Sequence, residues 1–354
     1  MNKLTKVGLS ALAGSLAAVS AHAVDYAVTG DAQVVYSSAE GNEADSNTKN
    51  GRGIGVDTDL YFTAGGELDN GFTVSIFTAM DMEQSNTATS GGLNSSAQVT
   101  IGMGSLGTVQ FNDISGSAAN AIDDVLPKAY EEAWDGTSHS SGFHSFGSST
   151  QSGSVDYRTP ALSFGDMSIS LTATLDPNSG SGPASAGGVA ANDDAGQAYT
   201  AKISGMGLTV GGGYEEYAGI NSGATSGQDG SRATGYILYT NGPMSIGYQE
   251  MYQDSPHSTG IAGTATDAEG ADVSGDGMAI AFSQDNLSIS YSEVNEIVEP
   301  NSDTTAEYEV EMSALQATYT MGAMTLGMSM YETDNPEGTT GKYEETELSV
   351  SFAF

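Results

Sequence analysis

Apolar residues alternate with small or polar residues in many short segments of the chain, and the last seven residues show this pattern clearly. Leu348, Val350, Phe352 and Phe354 alternate there with Ser349, Ser351 and Ala353. Successive side chains of a β-strand point to opposite faces, so the four large residues share one face. The same alternation occurs around 167–172, 287–292 and 324–330. The pattern predicts strands that each have one apolar face.

Segments of this kind recur along the chain and predict about 16 strands. Most of them have about the 9–11 residues that a tilted strand needs to cross the hydrocarbon layer of a membrane. They lie near 24–36, 53–65, 71–83, 95–104, 107–113, 151–159, 164–176, 196–205, 207–217, 232–240, 243–253, 275–284, 287–297, 309–321, 323–333 and 342–354.

The connections between these segments alternate in length. Short turns such as Asn241-Gly242 and Asp285-Asn286 alternate with long polar segments such as 177–195 and 254–274. Outer-membrane barrels have this asymmetry, with short periplasmic turns and longer external loops. The sequence therefore predicts an all-β fold, a transmembrane up-and-down antiparallel β-barrel of about 16 strands.

The N-terminus has the features of an export signal. Lys3 and Lys6 precede a short apolar run at 7–19, and Ala21-His22-Ala23 resembles a cleavage site. The run is shorter than the roughly 20 apolar residues of a spanning helix. We expect residues 1–23 to be a signal peptide cleaved after Ala23, followed by a barrel domain at 24–354. If the mature protein is integral to a membrane, a closed barrel is the remaining route. The hydrocarbon core has no water to pair with exposed backbone N–H and C=O groups, so all of them must be paired within the protein.

Composition narrows the classes of function. The chain has 45 acidic and nine basic residues, a formal net charge of −36 and no cysteine. Phosphate binding needs a basic footprint, so nucleic acid is not expected as a partner. The hydrophobic fraction is 38%, which is low for a chain of this length. A barrel with a hydrated interior accounts for it, because only the outer face must then be apolar.

The strand and loop layout, the terminal Phe354 and the stretch Ala121-Ile122-Asp123-Asp124-Val125 resemble the general porins of Gram-negative bacteria. The similarity extends over 24–354 and is greatest to the 16-stranded trimeric porins of alphaproteobacteria. It implies a homotrimer in the cell outer membrane, surrounded by lipid and lipopolysaccharide, that passes small hydrophilic solutes. It also implies that Phe354 is a signal for the barrel-assembly machinery. A long third loop, here 112–150, would fold inward and narrow the pore.

Two features of enteric porins are missing from the sequence. Their third loop carries a Pro-Glu-Phe-Gly-Gly-type stretch, and a cluster of arginines lies on the opposite wall. Neither is visible here, and nine basic residues are too few for a dense arginine wall. The resemblance therefore implies a constriction without the transverse field that an arginine cluster produces.

The phase of each strand assigns side chains to the pore. A charge facing lipid at mid-depth costs about 2–4 kcal/mol, so charged positions must face the hydrated interior. The residues expected on the pore wall are Asp31, Asp57, Asp59, Asp81, Asp156, Arg158 and Lys202.

The predicted constriction loop is rich in carboxylates. Carboxylates in a narrow opening concentrate cations and repel anions, so we predict a cation-selective passive channel. The alternative is that these acids are solvated loop charges without influence on permeation. The loop residues concerned are Asp113, Asp123, Asp124, Glu131, Glu132 and Asp135, together with Lys128.

Other classes of function find less support. The histidines after the signal peptide are His139, His144 and His257, and all three fall in predicted loops, where no catalytic triad is expected. We expect no catalysis, no cofactor and no metal site, apart from weak divalent-cation binding by acidic loops. The alternative function is a secreted or surface-attached acidic β-rich adhesin or surface-layer protein. It would share the signal peptide and the charge, but it would not need loops of unequal length at the two ends.

Overall fold

The computed structural model describes residues 25–41, 51–82, 94–136, 139, 141–177, 195–217, 229–255, 271–300, 306–338 and 340–354. The predicted signal peptide, its cleavage site at Ala23, and His257 lie outside these residues. In the described part of the chain, no helix combines the length and the apolar character that a membrane-spanning helix requires.

The described residues form one antiparallel sheet of 17 strand segments and four short 3₁₀ helices. The helices are Gly104–Leu106, Asn120–Ile122, Ser148–Thr150 and Pro336–Gly338. The strands are β1 (Asp25–Gly41), β2 (Gly51–Glu67), β3 (Thr73–Asp81), β4 (Asn94–Gly102), β5 (Thr108–Asp113), β6 (Ser154–Arg158), β7 (Leu162–Phe164), β8 (Met167–Asp176), β9 (Gly196–Gly205), β10 (Leu208–Tyr217), β11 (Gly230–Asn241), β12 (Met244–Asp254), β13 (Asp272–Gln284), β14 (Leu287–Glu299), β15 (Tyr308–Met321), β16 (Met324–Asp334) and β17 (Lys342–Ala353).

The sheet closes on itself because β1 pairs with both β2 and β17. Strands β6 and β7 both pair with β8 and form one spanning strand that is interrupted at 159–161. Pro160 lies in this interruption, and proline cannot donate a hydrogen bond to a neighbouring strand. The barrel therefore has 16 spanning strands. The predicted antiparallel β-barrel of about 16 strands is confirmed.

Several predicted boundaries differ from the structure. Strand β1 extends to Gly41 and β2 begins at Gly51, whereas the predicted strands end at 36 and begin at 53. Asn112 and Asp113 belong to β5, where they pair with Gln98 and Ala97. The predicted constriction loop at 112–150 therefore begins at Ile114 and ends at Gly153. A polar residue can end a strand as readily as it can begin a loop, which explains the error.

The two faces of the wall differ in exposure and polarity. On β14, Leu287, Ile289 and Tyr291 are exposed, whereas Ser290 and Ser292 on the opposite face are buried. The apolar face therefore points outward and the polar face points into the barrel, as in transmembrane barrels. This arrangement accounts for the low hydrophobic fraction of the chain.

Candidate functional site

The segment 114–153 lies against the inner face of the wall. Its backbone N–H groups donate to polar side chains on strands far away in sequence. Val125 donates to Gln249 Oε1 on β12 at 3.1 Å, and Ala129 donates to Ser290 Oγ on β14 at 2.8 Å. Tyr130 donates to Gln316 Oε1 on β15 at 3.1 Å. These contacts place residues 125–130 against the inner face of β12, β14 and β15.

A buried carboxylate on β14 accepts several hydrogen bonds from the segment. Glu296 is 0% exposed and accepts from the backbone N–H of Phe143 at 2.7 Å and of Gly142 at 3.3 Å. The Ser141 hydroxyl also donates to it, and His139 Nε2 lies 3.0 Å from its Oε2. A buried charge is tolerated only when it is well paired, and these donors satisfy it. We call Glu296 the first latch.

A second latch lies on β10. Glu215 is 0% exposed and accepts from Gly147 N at 2.9 Å and from Thr150 Oγ1 at 3.0 Å. Arg232 Nη1 on β11 lies 3.2 Å from the same carboxylate. Gly147 has a φ of +75°, and a Cβ there would lie 2.3 Å from the backbone nitrogen of Asn120. Glycine is therefore required at the point where the segment meets Glu215.

A third latch involves one of the predicted wall residues. Asp156 is 0% exposed and accepts from Ala118 N at 2.8 Å, Thr174 Oγ1 at 2.6 Å and Asn112 Nδ2 at 3.0 Å. Its neighbour Arg158 lies 3.7 Å from it and donates to Gln110 at 3.1 Å. Asp156 does face the interior, but its carboxylate holds the segment in place and is not exposed to a pore.

Apolar contacts also hold the segment against the inner wall. A buried cluster joins its Leu126, Trp134 and Phe143 to inward-facing apolar side chains of the wall, among them Val294 and Met312. Sequence reasoning assigned carboxylates, hydroxyls and amides to the inner face and did not foresee this patch. Full burial of one such side chain contributes about 1.5–3 kcal/mol to stability.

Most of the predicted loop acids surround one cavity of about 460 Å³. Asp123, Asp124, Glu132 and Asp135 line it, together with Trp134, His139, Ser141 and His144. Lys128 forms ion pairs with Asp124 and Glu132. His144 stacks on Trp134 with the ring centroids 5.6 Å apart. The cavity therefore has an acidic lining with one nearby lysine.

Burial changes the protonation of the acids in this segment. It raises the pKa of Asp123 to about 7, and the adjacent charge of Asp124 acts in the same direction. Burial also raises the pKa of Glu131, although the Tyr331 hydroxyl, which donates to this carboxylate at 3.1 Å, opposes the effect. The pKa of Asp135 is raised by burial as well. The charge of the segment therefore depends on pH near neutrality.

A second group of carboxylates lies on the wall formed by β1, β2 and β3. Asp31 on β1 is directly opposite Asp59 on β2, and Asp59 is opposite Asp81 on β3. One carboxylate oxygen each from Asp57, Asp59 and Asp81 lie within 4.8 Å of one another. Tyr61 donates to Asp59 Oδ2 at 3.3 Å. Oxygen ligands of this kind suit hard cations, so this wall cluster is the place in the described residues where a divalent cation would fit best.

The remaining predicted residues are dispersed. Lys202 lies on the inner face of β9, opposite Ser170 and Gly211. Asp113 shares the outward phase of Phe111 on β5 and does not join the other segment acids. Phe354 pairs with Gly30 through backbone hydrogen bonds of 2.8 and 2.9 Å, and so helps to close the barrel.

Sequence reasoning missed the residues that hold the segment. Glu215, Arg232, Gln249, Glu296 and Gln316 all occupy inward-facing positions of their strands. The strand phase alone could have marked them as interior polar residues. It could not show that a distant segment would contact them.

Comparisons with known proteins agree with this architecture. A family model described as Gram-negative porin matches residues 8–354. A comparison of the sequence with curated proteins gives no match.

Solved outer-membrane proteins share the fold at low sequence identity. OmpF of Salmonella typhi, in complex with daunomycin, is 12% identical with a TM-score of 0.67, and the alignment covers 93% of this chain and 97% of that one. The trimer form of OmpT of Vibrio cholerae is 9% identical with a TM-score of 0.62, covering 94% and 100%. A mutant of the Rh. blastica porin is 11% identical with a TM-score of 0.52, covering 93% and 100%.

Proposed function

The chain belongs to the family of Gram-negative porins, which are outer-membrane channels, and we propose that its pore is passive, water-filled and selective for cations. Two separate groups of acids support this proposal. One lines the cavity of the segment, and the other is the wall cluster on β1 to β3. The single observation that carries the proposal is the row Asp31–Asp59–Asp81, which places carboxylates on three neighbouring strands in direct register.

The physical basis is the local concentration of negative charge. Low-dielectric walls focus the field of charged groups in a narrow passage, which raises the concentration of the opposite ion and excludes the like ion. Lys128 is paired within the segment, and Arg158 is paired with Asp156 and Gln110. These cations therefore offset little of the charge of the wall cluster.

We also propose that the channel is a homotrimer. The support is the family membership and the trimer form of the structurally similar OmpT. Contacts with lipopolysaccharide and with the barrel-assembly machinery, the latter through Phe354, belong to the same proposal.

Reversal potentials in planar bilayers under a salt gradient test the selectivity. We expect potassium to permeate better than chloride, and we expect the ratio to fall in a triple variant with Asp57→Asn, Asp59→Asn and Asp81→Asn. It should also fall between 0.1 M and 1 M salt, since the Debye length decreases from about 10 Å to about 3 Å.

A matched control changes the same number of carboxylates on the outer wall. Glu309→Gln, Glu311→Gln and Asp334→Asn lie on β15 and β16 and face outward. This variant should keep the selectivity of the parent channel. Chloride selectivity of the parent, or equal loss in both triple variants, would contradict the proposal.

A further inference from the structure

The outer wall of β10 to β17 changes from apolar to acidic at one level. On β12, Met244, Ile246 and Tyr248 face outward and are followed by Glu250. Strands β10 and β13 to β17 repeat the change toward the long connections, whereas β11 has small residues there. The outward-facing acids are Glu216, Glu250, Asp254, Asp272, Asp276, Glu293, Glu299, Glu309, Glu311, Glu332, Asp334 and Glu344.

These acids face one another across neighbouring strands. Glu250 is directly opposite Asp276, and Asp276 is opposite Asn295. Further along the same row, Glu311 is opposite Asp334. Directly opposite side chains are about 4.5–5.5 Å apart between their Cβ atoms, and like charges at that distance destabilise the sheet. A cation at this level of the wall would remove the cost.

Tyrosines at the top of the apolar band orient some of these carboxylates. The hydroxyl of Tyr248 donates to Glu250 Oε1 at 2.7 Å, and that of Tyr291 donates to Glu293 Oε2 at 3.1 Å. Tyr214 and Glu216 form the same pair at 3.1 Å. Each pair lies on one strand, two residues apart. The aromatic rings mark the level at which lipid headgroups begin.

A hollow of about 590 Å³ lies at this level on β11 to β15. Glu250, Asp276 and Glu309 line it together with Tyr248 and Tyr252. Small residues form its floor, since Ala233, Gly235 and Ser274 occupy the outward positions there. A Cβ added at Gly235 would meet no atom within 4 Å. The wall therefore has room for a headgroup between carboxylates and aromatic rings.

An apolar groove of about 460 Å³ continues from the hollow toward the short turns. It shares Tyr248 with the hollow, and its other lining residues have almost no polar surface. They include Ile237, Tyr239, Ile246, Met278, Ile280 and Tyr291. An acyl chain fits this chemistry. The groove and the hollow together have the polarity of an amphiphile, apolar at one end and polar at the other.

We propose that the hollow and the groove form a binding site for a membrane amphiphile that has an acyl chain and a cationic ammonium headgroup. The chain lies in the apolar groove. The ammonium group lies among Glu250, Asp276 and Glu309, and over the faces of Tyr248 or Tyr252, where cation–π attraction adds to the ionic attraction. The proposal depends on the membrane position of the barrel and not on the ion selectivity of its pore.

Charge complementarity favours this occupant over an anionic lipid. Lys342 is the one basic residue among the described outward positions of β10 to β17, and it is already paired with Glu332 at 2.6 Å and Glu344 at 3.2 Å. A phosphate headgroup would meet carboxylates and no free cation. A phosphate headgroup could bind there only through bridging divalent ions. The experiment distinguishes this case by comparing binding with and without Mg²⁺.

Native mass spectrometry of the purified protein tests the proposal with amphiphiles of one chain length, added below the concentration at which they form micelles. Dodecyltrimethylammonium, dodecylphosphocholine and dodecyl phosphate are the probes, the last with and without Mg²⁺. We expect the ammonium compound to bind without Mg²⁺, and we expect about tenfold weaker binding in a variant with Glu250→Gln and Asp276→Asn. The Gly235→Phe variant, whose Cβ meets no atom within 4 Å and whose ring would occupy the hollow, should lose binding to the same extent.

The matched control is a variant with Glu332→Gln and Glu344→Gln, which removes two outward acids away from the hollow and should bind like the parent. Three outcomes would overturn the proposal. They are equal binding of the phosphocholine compound, binding of the phosphate compound only when Mg²⁺ is present, and a change of oligomeric state in Gly235→Phe without loss of ammonium binding. The last outcome would assign the hollow to a second copy of the chain.

Discussion

Carboxylates of this protein serve different purposes depending on their neighbours. Glu296 is surrounded by donors, and its charge holds the inner segment in place. Asp59 is surrounded by other acids, and its charge adds to the field of the wall cluster. The residue type is similar in both places. The difference lies in whether donors or other acids surround the carboxylate, because donors stabilise the charged form and like charges oppose it.

Asp123 gives a prediction on pH. Its pKa of about 7 is raised by burial and by Asp124, so the group is neutral at pH 6 and charged at pH 8. Cation selectivity should therefore increase as the pH rises from 6 to 8. The folded protein holds this proton more tightly than the unfolded chain does, so the stability that the proton contributes is lost as the pH rises from about 4 to about 7.

The measurement is the reversal potential at several pH values for the parent and for Asp123→Asn. The variant should have a lower selectivity at pH 8 and a smaller change between pH 6 and pH 8. Glu344→Gln, an outward acid, serves as the control and should follow the parent. An unchanged pH profile in Asp123→Asn would falsify the assignment.

At the level of elements, each strand separates two environments by a period of two residues. The outward positions of β14 are apolar from Leu287 to Tyr291 and mostly polar beyond, with Glu293, Asn295 and Glu299, while its inward positions contact the segment. One strand therefore meets lipid, headgroups and the barrel interior at once. Its sequence satisfies all three because neighbouring residues never share a face.

The outward face of β14 allows a paired test of membrane position. Ile289→Lys places a charge in the middle of the apolar band and should lower the free energy of unfolding by about 2–4 kcal/mol. Asn295→Lys, on the same face but among carboxylates, should leave stability unchanged or slightly higher. Urea unfolding in lipid vesicles measures both variants. Equal destabilisation by the two substitutions would contradict the assigned boundary between lipid and headgroups.

At the scale of the whole molecule, the closed barrel brings distant parts of the chain together. The segment 114–153 meets β10, β12, β14 and β15 through latches and hydrogen bonds that join residues 65 to 186 positions apart. It also reaches β1, where Gln33 Nε2 donates to the Tyr130 hydroxyl at 2.7 Å, and the wall cluster lies on β1 to β3. Acids of both elements therefore face the barrel interior.

Releasing the segment should enlarge the pore. In a variant with Glu215→Ala and Glu296→Ala, the donors at Gly147 and Phe143 lose their acceptors, which costs about 1–3 kcal/mol for each unsatisfied buried group. We expect a higher single-channel conductance in planar bilayers, with the barrel still folded. Glu309→Ala and Glu311→Ala, which remove two outward carboxylates, are the control. An unchanged conductance in the latch variant would mean that the segment does not restrict the passage.

Much of the fold follows from the sequence, because it depends on a local property. Alternation of apolar and polar residues places strand β9 at its observed bounds, and it turns Asp31, Asp57, Asp59 and Asp81 inward. The change of register between β6 and β7 could not be predicted from alternation. Both strands pair with β8, but the partner residues shift at the break around Pro160, and this shift exists only in the folded sheet.

The sequence by itself determined the barrel, the direction of each strand's side chains and the excess of acid, since each depends on composition or on a period of two residues. Only the tertiary structure decided which interior acids lie among hydrogen-bond donors and which lie among other acids. Asp156 and Asp59 have the same inward phase, yet Ala118 and Thr174 surround the first, while Asp57 and Asp81 surround the second. The physical reason is that the partners of a buried carboxylate come from strands and loops that are distant in sequence, and closure of the barrel brings them together.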